Sequence, residues 1–164
     1  MAEKLTSVEV VALAVQSEEA ASKFYGAIAK RIKNPMVKMR YEDLAREEVR
    51  HRAMLIELYK TMTGDEFSPE RVPDSPPLAE AAWPSGETED LESLLDLAIQ
   101  RELGAAEFYE EAADNTADPT GEKALAYLAD MERGHAVVLQ SELKAYRRDQ
   151  SWYSDFPDMP MMGP

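Results

Sequence analysis

An all-α fold, an antiparallel four-helix bundle made of two repeated helical hairpins joined by a long crossover, is what this 164-residue sequence predicts. Three observations predict it. First, the chain repeats itself at a fixed offset of 84 positions, so that Glu18 falls on Glu102, Tyr25 on Tyr109, Pro35 on Pro119, Glu48 on Glu132 and His51 on His135. Leu13, Ala14, Gln16, Ala21, Phe24, Ala29, Leu44, Ala45 and Leu55 also meet an identical residue, with no gap. Second, four segments carry apolar seams whose spacing alternates by three and four, the signature of helices packed side by side. Third, a stretch rich in proline divides the second segment from the third.

The elements follow in order. Thr6 with Glu9 forms a capping box that opens the first helix, whose seam reads Val11, Val15, Glu18, Ser22, Tyr25, Ala29, Ile32. Asn34-Pro35 caps the second helix and places proline at its first position. Its seam is Val37, Tyr41, Leu44, Glu48, His51, Leu55, Leu58, Met62, and Gly64 closes it. Pro69, Pro73, Pro76, Pro77 and Pro84 forbid a continuous helix over about 65–87, so this span reads as the crossover, with short helical turns around Leu78–Ala82. The third helix starts near Thr88–Asp90 and carries Leu95, Ile99, Glu102, Ala106, Tyr109, Ala113. Asp118-Pro119 caps the fourth, which carries Leu125, Leu128, Glu132, His135, Leu139, Tyr146. Residues 1–150 thus form one bundle. Residues 151–164 form a C-terminal tail rich in proline, methionine and aromatics, either mobile or docked through Trp152, Tyr153 and Phe156.

Composition narrows the function. There is no cysteine, which excludes disulfides, zinc ribbons, iron–sulfur ligation and thiol chemistry within this chain and fits a cytoplasmic protein. A net charge of −14 makes a surface that repels nucleic acid and anionic membranes, so neither is expected as a partner. No basic-then-apolar leader is read, and no apolar run approaches the roughly 18 residues of a membrane span.

The chain's two histidines each follow a glutamate by three residues, at Glu48/His51 and Glu132/His135. Residues three apart share a helix face, so each pair presents a carboxylate and an imidazole together. Glu18 lies 16 residues before Asn34 and Glu48 lies 14 after it. At about 1.5 Å per residue both carboxylates stand roughly 21–24 Å from the same turn, hence at one level. Glu102 and Glu132 repeat these separations about Asp118. Six residues, Glu18, Glu48, His51, Glu102, Glu132 and His135, are therefore expected to meet at mid-height. Glu48 and Glu132 are read as bridging carboxylates, and Glu18 and Glu102 as terminal ones. Four carboxylates on seams otherwise filled by Val, Leu and Ala are costly unless cations neutralise them, and two divalent ions do so. Tyr25 and Tyr109, two turns after Glu18 and Glu102, lean back toward the helix N-terminus and are expected to bond a ligating carboxylate. Ala20, Ala21, Gly104 and Ala105 leave room beside the ions. Arg46, Glu47, Arg50 and Arg52 read as solvated or ion-paired surface.

The segments AVQSEEAASKFY, LAREEVRH, AIQRELGAAEFY and LADMERGH resemble the ferritin-like superfamily, most closely rubrerythrin-type di-iron proteins, over about residues 8–148. One glutamate from each of two helices plus a Glu-x-x-His pair from each of the other two is the ligand pattern of such bundles. The resemblance implies iron ligands at Glu18, Glu48, His51, Glu102, Glu132 and His135, reduction of peroxide or oxidation of Fe²⁺ with O₂ or peroxide, and a homodimer. Two departures stand out. The four-cysteine rubredoxin site of typical members is absent, and the extra glutamate that follows the third-helix ligand is replaced by Ala105. The centre is thereby more symmetric, nearer to bacterioferritin-like ferroxidase centres, without a cage-forming fifth helix or a recognisable haem-ligand methionine.

The function expected is that of a non-haem di-iron oxidoreductase holding two iron ions, with manganese or zinc as the other candidate metals. Peroxide or O₂ is the small-molecule substrate. Electrons would come from a separate donor protein, since no second redox centre is encoded. The alternatives are a non-catalytic iron-handling protein and a bundle that metal merely staples.

Overall fold

A computed structural model of the chain describes residues 5–72, 83–84 and 90–154. Four long helices, α1 (Ser7–Arg31), α2 (Pro35–Thr63), α3 (Leu91–Asn115) and α4 (Pro119–Arg148), make up nearly all of it. A 3₁₀ turn at Pro69–Arg71 begins the crossover, and one further helical turn, α5 (Ser151–Ser154), follows α4. The Leu78–Ala82 turns expected in the crossover lie outside the described residues, as does Phe156 of the tail. Among the described residues no helix is long and apolar enough to cross a membrane.

Local chemistry sets the helix ends. The Thr6 hydroxyl accepts from the Glu9 amide at 3.3 Å while the Glu9 carboxylate accepts from the Thr6 amide at 2.7 Å, which completes the capping box. Asn34 accepts from the Met36 amide at 3.0 Å, and Asp118 from the Gly121 amide at 2.9 Å, each ahead of a proline that has no amide to satisfy. Asp90 caps α3 through the Ser93 amide at 3.0 Å. Gly64 ends α2 with φ of 78°, a left-handed conformation that only glycine adopts without strain.

The hairpins pair α1 closely with α2 and α3 closely with α4, whereas the α1–α3 and α2–α4 faces touch sparsely. The predicted seams are buried throughout, except that Ser22, Met62 and Tyr146 are only half-buried. The core is split in two. Phe24, Tyr25, Ile28, Tyr41, Leu95 and Leu139 anchor one apolar half. Val11, Val15, Leu55, Tyr109, Leu125 and Leu128 anchor the other. The six acidic and imidazole residues occupy the level between them, so two apolar plugs seal a polar middle layer from both ends of the bundle.

The first turn of the tail is docked. Tyr153 is buried, packs edge-on against Tyr146 at 5.2 Å, and its hydroxyl donates to the Glu142 carboxylate and to the Glu142 carbonyl at 2.9 Å. Arg40 supplies the countercharge to Glu142. The Asn34 amide group donates to the Trp152 carbonyl at 2.9 Å, which ties the α1–α2 turn to this same segment.

Candidate metal centre

Each of the four helices brings its share of the site to the middle layer. Glu18 comes from α1, Glu48 and His51 from α2, Glu102 from α3, and Glu132 and His135 from α4, and all six are buried. The structure brings together every ligand candidate that the sequence nominated. They form two groups of four, Glu18/Glu48/His51/Glu132 and Glu48/Glu102/Glu132/His135, in each of which the donor atoms lie within 4.8 Å of one another.

The groups are related by the repeat. His51 Nδ1 faces Glu48 Oε2 at 3.0 Å, Glu132 Oε1 at 2.9 Å and Glu18 Oε2 at 3.9 Å. His135 Nδ1 faces Glu48 Oε1 at 3.0 Å, Glu132 Oε2 at 3.2 Å and Glu102 Oε2 at 3.8 Å. Glu48 and Glu132 each give one oxygen to each group, while Glu18 and Glu102 serve one group apiece. The imidazoles stack with centroids 5.4 Å apart and planes 16° from parallel.

These residues fit a pair of cations. Among the described residues, both Nδ1 atoms, both oxygens of Glu48 and Oε1 of Glu132 are buried without a hydrogen bond of acceptable geometry. These atoms face one another across the layer instead. Separations of 2.9–3.2 Å between them match the edge of a coordination polyhedron whose ligands stand about 2.1 Å from an ion. The donor set, carboxylate with imidazole, suits iron, manganese or zinc.

Protonation in the metal-free protein has the same origin. Burial, then the charges of Glu48 and Glu132, pushes Glu18 well above the usual carboxylate range, and burial is also the largest effect raising Glu102. Burial acts on Glu132 too, but the His135 and His51 imidazoles beside it outweigh it and hold Glu132 at about 2. Glu48 is likewise lowered by the same two imidazoles in spite of its burial. His51 rises to about 9, because the Glu132 and Glu48 carboxylates beside it overcome the burial that opposes its charge. His135 is raised further by Glu102, Glu132 and Glu48, again against its burial. Without metal, these shifts all favour keeping protons in the layer, on the imidazoles and on the outer carboxylates.

Both tyrosines reach ligand candidates, in a crossed arrangement. The Tyr25 hydroxyl on α1 donates to Glu102 on α3, and the Tyr109 hydroxyl on α3 donates to Glu18 on α1. Each phenol therefore braces the other hairpin's carboxylate. Two contacts were not legible in the sequence. Glu47, read as surface, sets its carboxylate 2.6 Å from His135 Nε2. The repeat hides it, because the position equivalent to Glu47 is Met131. Trp83, from the crossover, packs against Phe24 at 4.8 Å and Tyr25 at 5.4 Å between ring centroids. Arg46 pairs with Asp43, Arg52 lies 3.5 Å from Glu19, and Arg50 is exposed, all at the surface as expected.

A cavity of about 210 Å³ lies where α1 and α3 part, and it reaches Glu18, Glu102 and Glu132. Ala21, Gly104 and Ala105 line it, as their small size suggested, while Ala20 does not.

Residues 9–143 match the family model of rubrerythrin. Among solved structures, a hypothetical protein from Pyrococcus furiosus is 29% identical, with a TM-score of 0.72 over 88% of this chain and 92% of that one. A bacterioferritin from Rhodobacter capsulatus, described with a metal-free dinuclear site and haem iron, is 18% identical, with a TM-score of 0.73 over 100% of both chains. The manganese catalase KatB from Anabaena is 19% identical, with a TM-score of 0.62 over 99% of this chain and 81% of its own. The latter two show the ferritin-like fold. No curated protein matches. The family match and the paired clusters together support a dinuclear metal site.

Proposed function

The chain belongs to the rubrerythrin family, and from that premise we propose that it is a non-haem di-iron oxidoreductase that reduces peroxide or oxidises Fe²⁺ with O₂ or peroxide. The observation that carries this reading is the sharing of Glu48 and Glu132. Each sends one oxygen toward each histidine, at 2.9–3.2 Å, which suits two ions held side by side rather than one. Iron bound there supplies the electrons for cleaving an O–O bond.

The protein's residues do the rest. Glu18 and Glu102 take one outer position each, and the phenols of Tyr109 and Tyr25 fix their orientation. His51 and His135 present Nδ1 and must lose their protons for metal to bind. The two apolar plugs exclude water along the bundle axis, and the cavity between α1 and α3 gives a small oxidant a way in. The Tyr109 phenol lines that cavity, and both phenols, buried and hydrogen-bonded to Glu18 and Glu102, would hold protons beside the centre. These 164 residues hold no cysteine for an iron–sulfur relay, and a separate donor protein is the proposed source of electrons for repeated turnover.

Stopped-flow absorption tests the proposal. Metal-free protein is given two equivalents of Fe²⁺ and then mixed with peroxide. Rapid growth of a ferric-oxo band supports an oxidoreductase. Slow oxidation at the rate of free Fe²⁺, with thermal stabilisation as the main effect of metal, supports a stapled or iron-handling bundle instead.

A further inference from the structure

We infer that the cavity between α1 and α3 is a binding site for the organic group of an alkyl or aryl hydroperoxide, so that the peroxide proposed above as substrate is ROOH rather than H₂O₂ alone. The inference rests on that reading of the centre. Its first support is size. The cavity measures about 210 Å³, whereas an apolar cavity of about 150 Å³ already holds benzene, and a water's share of liquid volume is about 30 Å³. Hydrogen peroxide, with two oxygens, fills a small part of such a space.

The second support is the distribution of polarity. Ala14, Ala21, Ala105, Phe108 and Trp83 make the cavity's lining largely apolar, and Glu18, Glu102 and Glu132 connect it to the metal centre, with Ser17, Gln100 and Arg101 as its further polar groups. An amphiphile with one oxygen-bearing end and one hydrocarbon end matches this division. A hydroperoxide is neutral, so the protein's net charge of −14 does not oppose its entry.

Third, Arg101 lines the same cavity, and among the described residues its buried Nε has no hydrogen-bond partner. A peroxide or alcohol oxygen is an acceptor for that N–H. Fourth, Gly104 stands at the wall in the middle of α3. A Cβ there would meet nothing within 4 Å, so no close packing requires the glycine. Glycine inside a helix is less favourable than alanine, and what it provides here is space at the cavity wall.

The chemistry balances without a further reagent. Reducing ROOH breaks its O–O bond, consumes two electrons and two protons, and releases ROH and water; the electrons are those lost when a pair of Fe²⁺ ions passes to Fe³⁺.

The test uses 2-phenyl-2-propanol, the inert alcohol product of cumene hydroperoxide, titrated by calorimetry into the metal-free and the iron-loaded protein. One molecule is expected to bind per chain. Ala105→Phe and Gly104→Leu, which fill the cavity from adjacent positions, should each weaken it at least about tenfold, the scale of losing apolar pocket contacts. Gly104→Leu guards against misfolding, since its Cβ enters open space. In single-turnover oxidation of the Fe²⁺-loaded protein, the ratio of the rates with cumene hydroperoxide and H₂O₂ should fall by a similar factor in both variants. Absence of alcohol binding to wild type, or equal affinity in folded variants, overturns the inference. If H₂O₂ oxidises the centre and the alcohol does not bind, this inference fails and the function proposed above stands. If the alcohol binds in the cavity and neither peroxide oxidises the iron, the site stands as a ligand pocket and the redox reading fails.

Discussion

Glu47 and His135, 88 positions apart, meet with Oε2 and Nε2 at 2.6 Å, and the repeat offers His51 no equivalent. Among the described residues, the ion pairs of His51 all run through Nδ1, and Met131 occupies the place that matches Glu47. A carboxylate behind a ligating imidazole fixes its ring orientation and raises its basicity. In the proposed centre the two ion positions would thus be unequal, although the six candidate ligands obey the repeat. Glu47→Ala should weaken one ion about tenfold and leave the other nearly unchanged, since loss of such an outer carboxylate costs about 10–100-fold in affinity. A metal titration that resolves two binding constants checks this, and equal weakening of both would contradict it.

The crossed tyrosines make a second, site-selective prediction. Tyr25→Phe frees Glu102, which serves the His135 group, whereas Tyr109→Phe frees Glu18, which serves the His51 group. Each variant should lower the affinity of one position, on the hairpin opposite the mutation. Removing both hydroxyls should affect both positions. Anomalous occupancies in crystals of the single variants, grown with limiting metal, read out which position empties first.

The pH dependence of the metal-free protein follows from the middle layer. His51 is raised to about 9, so the stability that its pairing with Glu132 and Glu48 gives is complete below its ordinary range, about pH 6.5. That stability is lost as pH rises through about 9. Glu18 and Glu102, raised by burial, act in the same direction, since ionising them buries uncompensated charge. The Tm of metal-free protein should therefore fall from near-neutral to alkaline pH, and the loaded protein should show a flatter profile because cations replace the protons. Metal uptake at neutral pH should release protons, which an indicator dye in weak buffer would detect. At the acid end, Glu132 contributes stability above the usual carboxylate range and loses it as pH falls through about 2.

The docked first turn of the tail predicts a stability effect without a metal effect. Tyr153→Phe removes the hydroxyl that donates to buried Glu142 and leaves that carboxylate with Arg40. Leaving a buried acceptor short of a donor costs about 1–3 kcal/mol. Urea unfolding should show a loss of that size, with two ions still bound per chain.

Much of this was legible in the sequence for one physical reason. A duplicated hairpin states its geometry twice, so the heights of Glu18, Glu48, Glu102 and Glu132 follow from helical rise and two Asx-Pro caps, without tertiary information. The caps at Thr6, Asn34 and Asp118 were readable because they depend on neighbours within three residues. What the repeat does not encode stayed hidden. Glu47 acts across the bundle on His135, Glu142 is matched by Leu58, and Arg40 by Ala124, so these polar contacts break the symmetry that gave the rest away. The crossing of Tyr25 to Glu102 needed the separation of α1 and α3, which no spacing along one helix supplies. The docking of Tyr153 likewise depends on a buried carboxylate ten residues behind the tail's first aromatic.

The most direct test of the centre is metal content with an anomalous difference map, on wild type and on His51→Ala and His135→Ala. Two peaks per chain are expected in the wild type, bridged by Glu48 and Glu132, with one peak lost in each variant, on the side of the missing imidazole. Two fully occupied ions in both variants, or density away from the middle layer, would contradict the account.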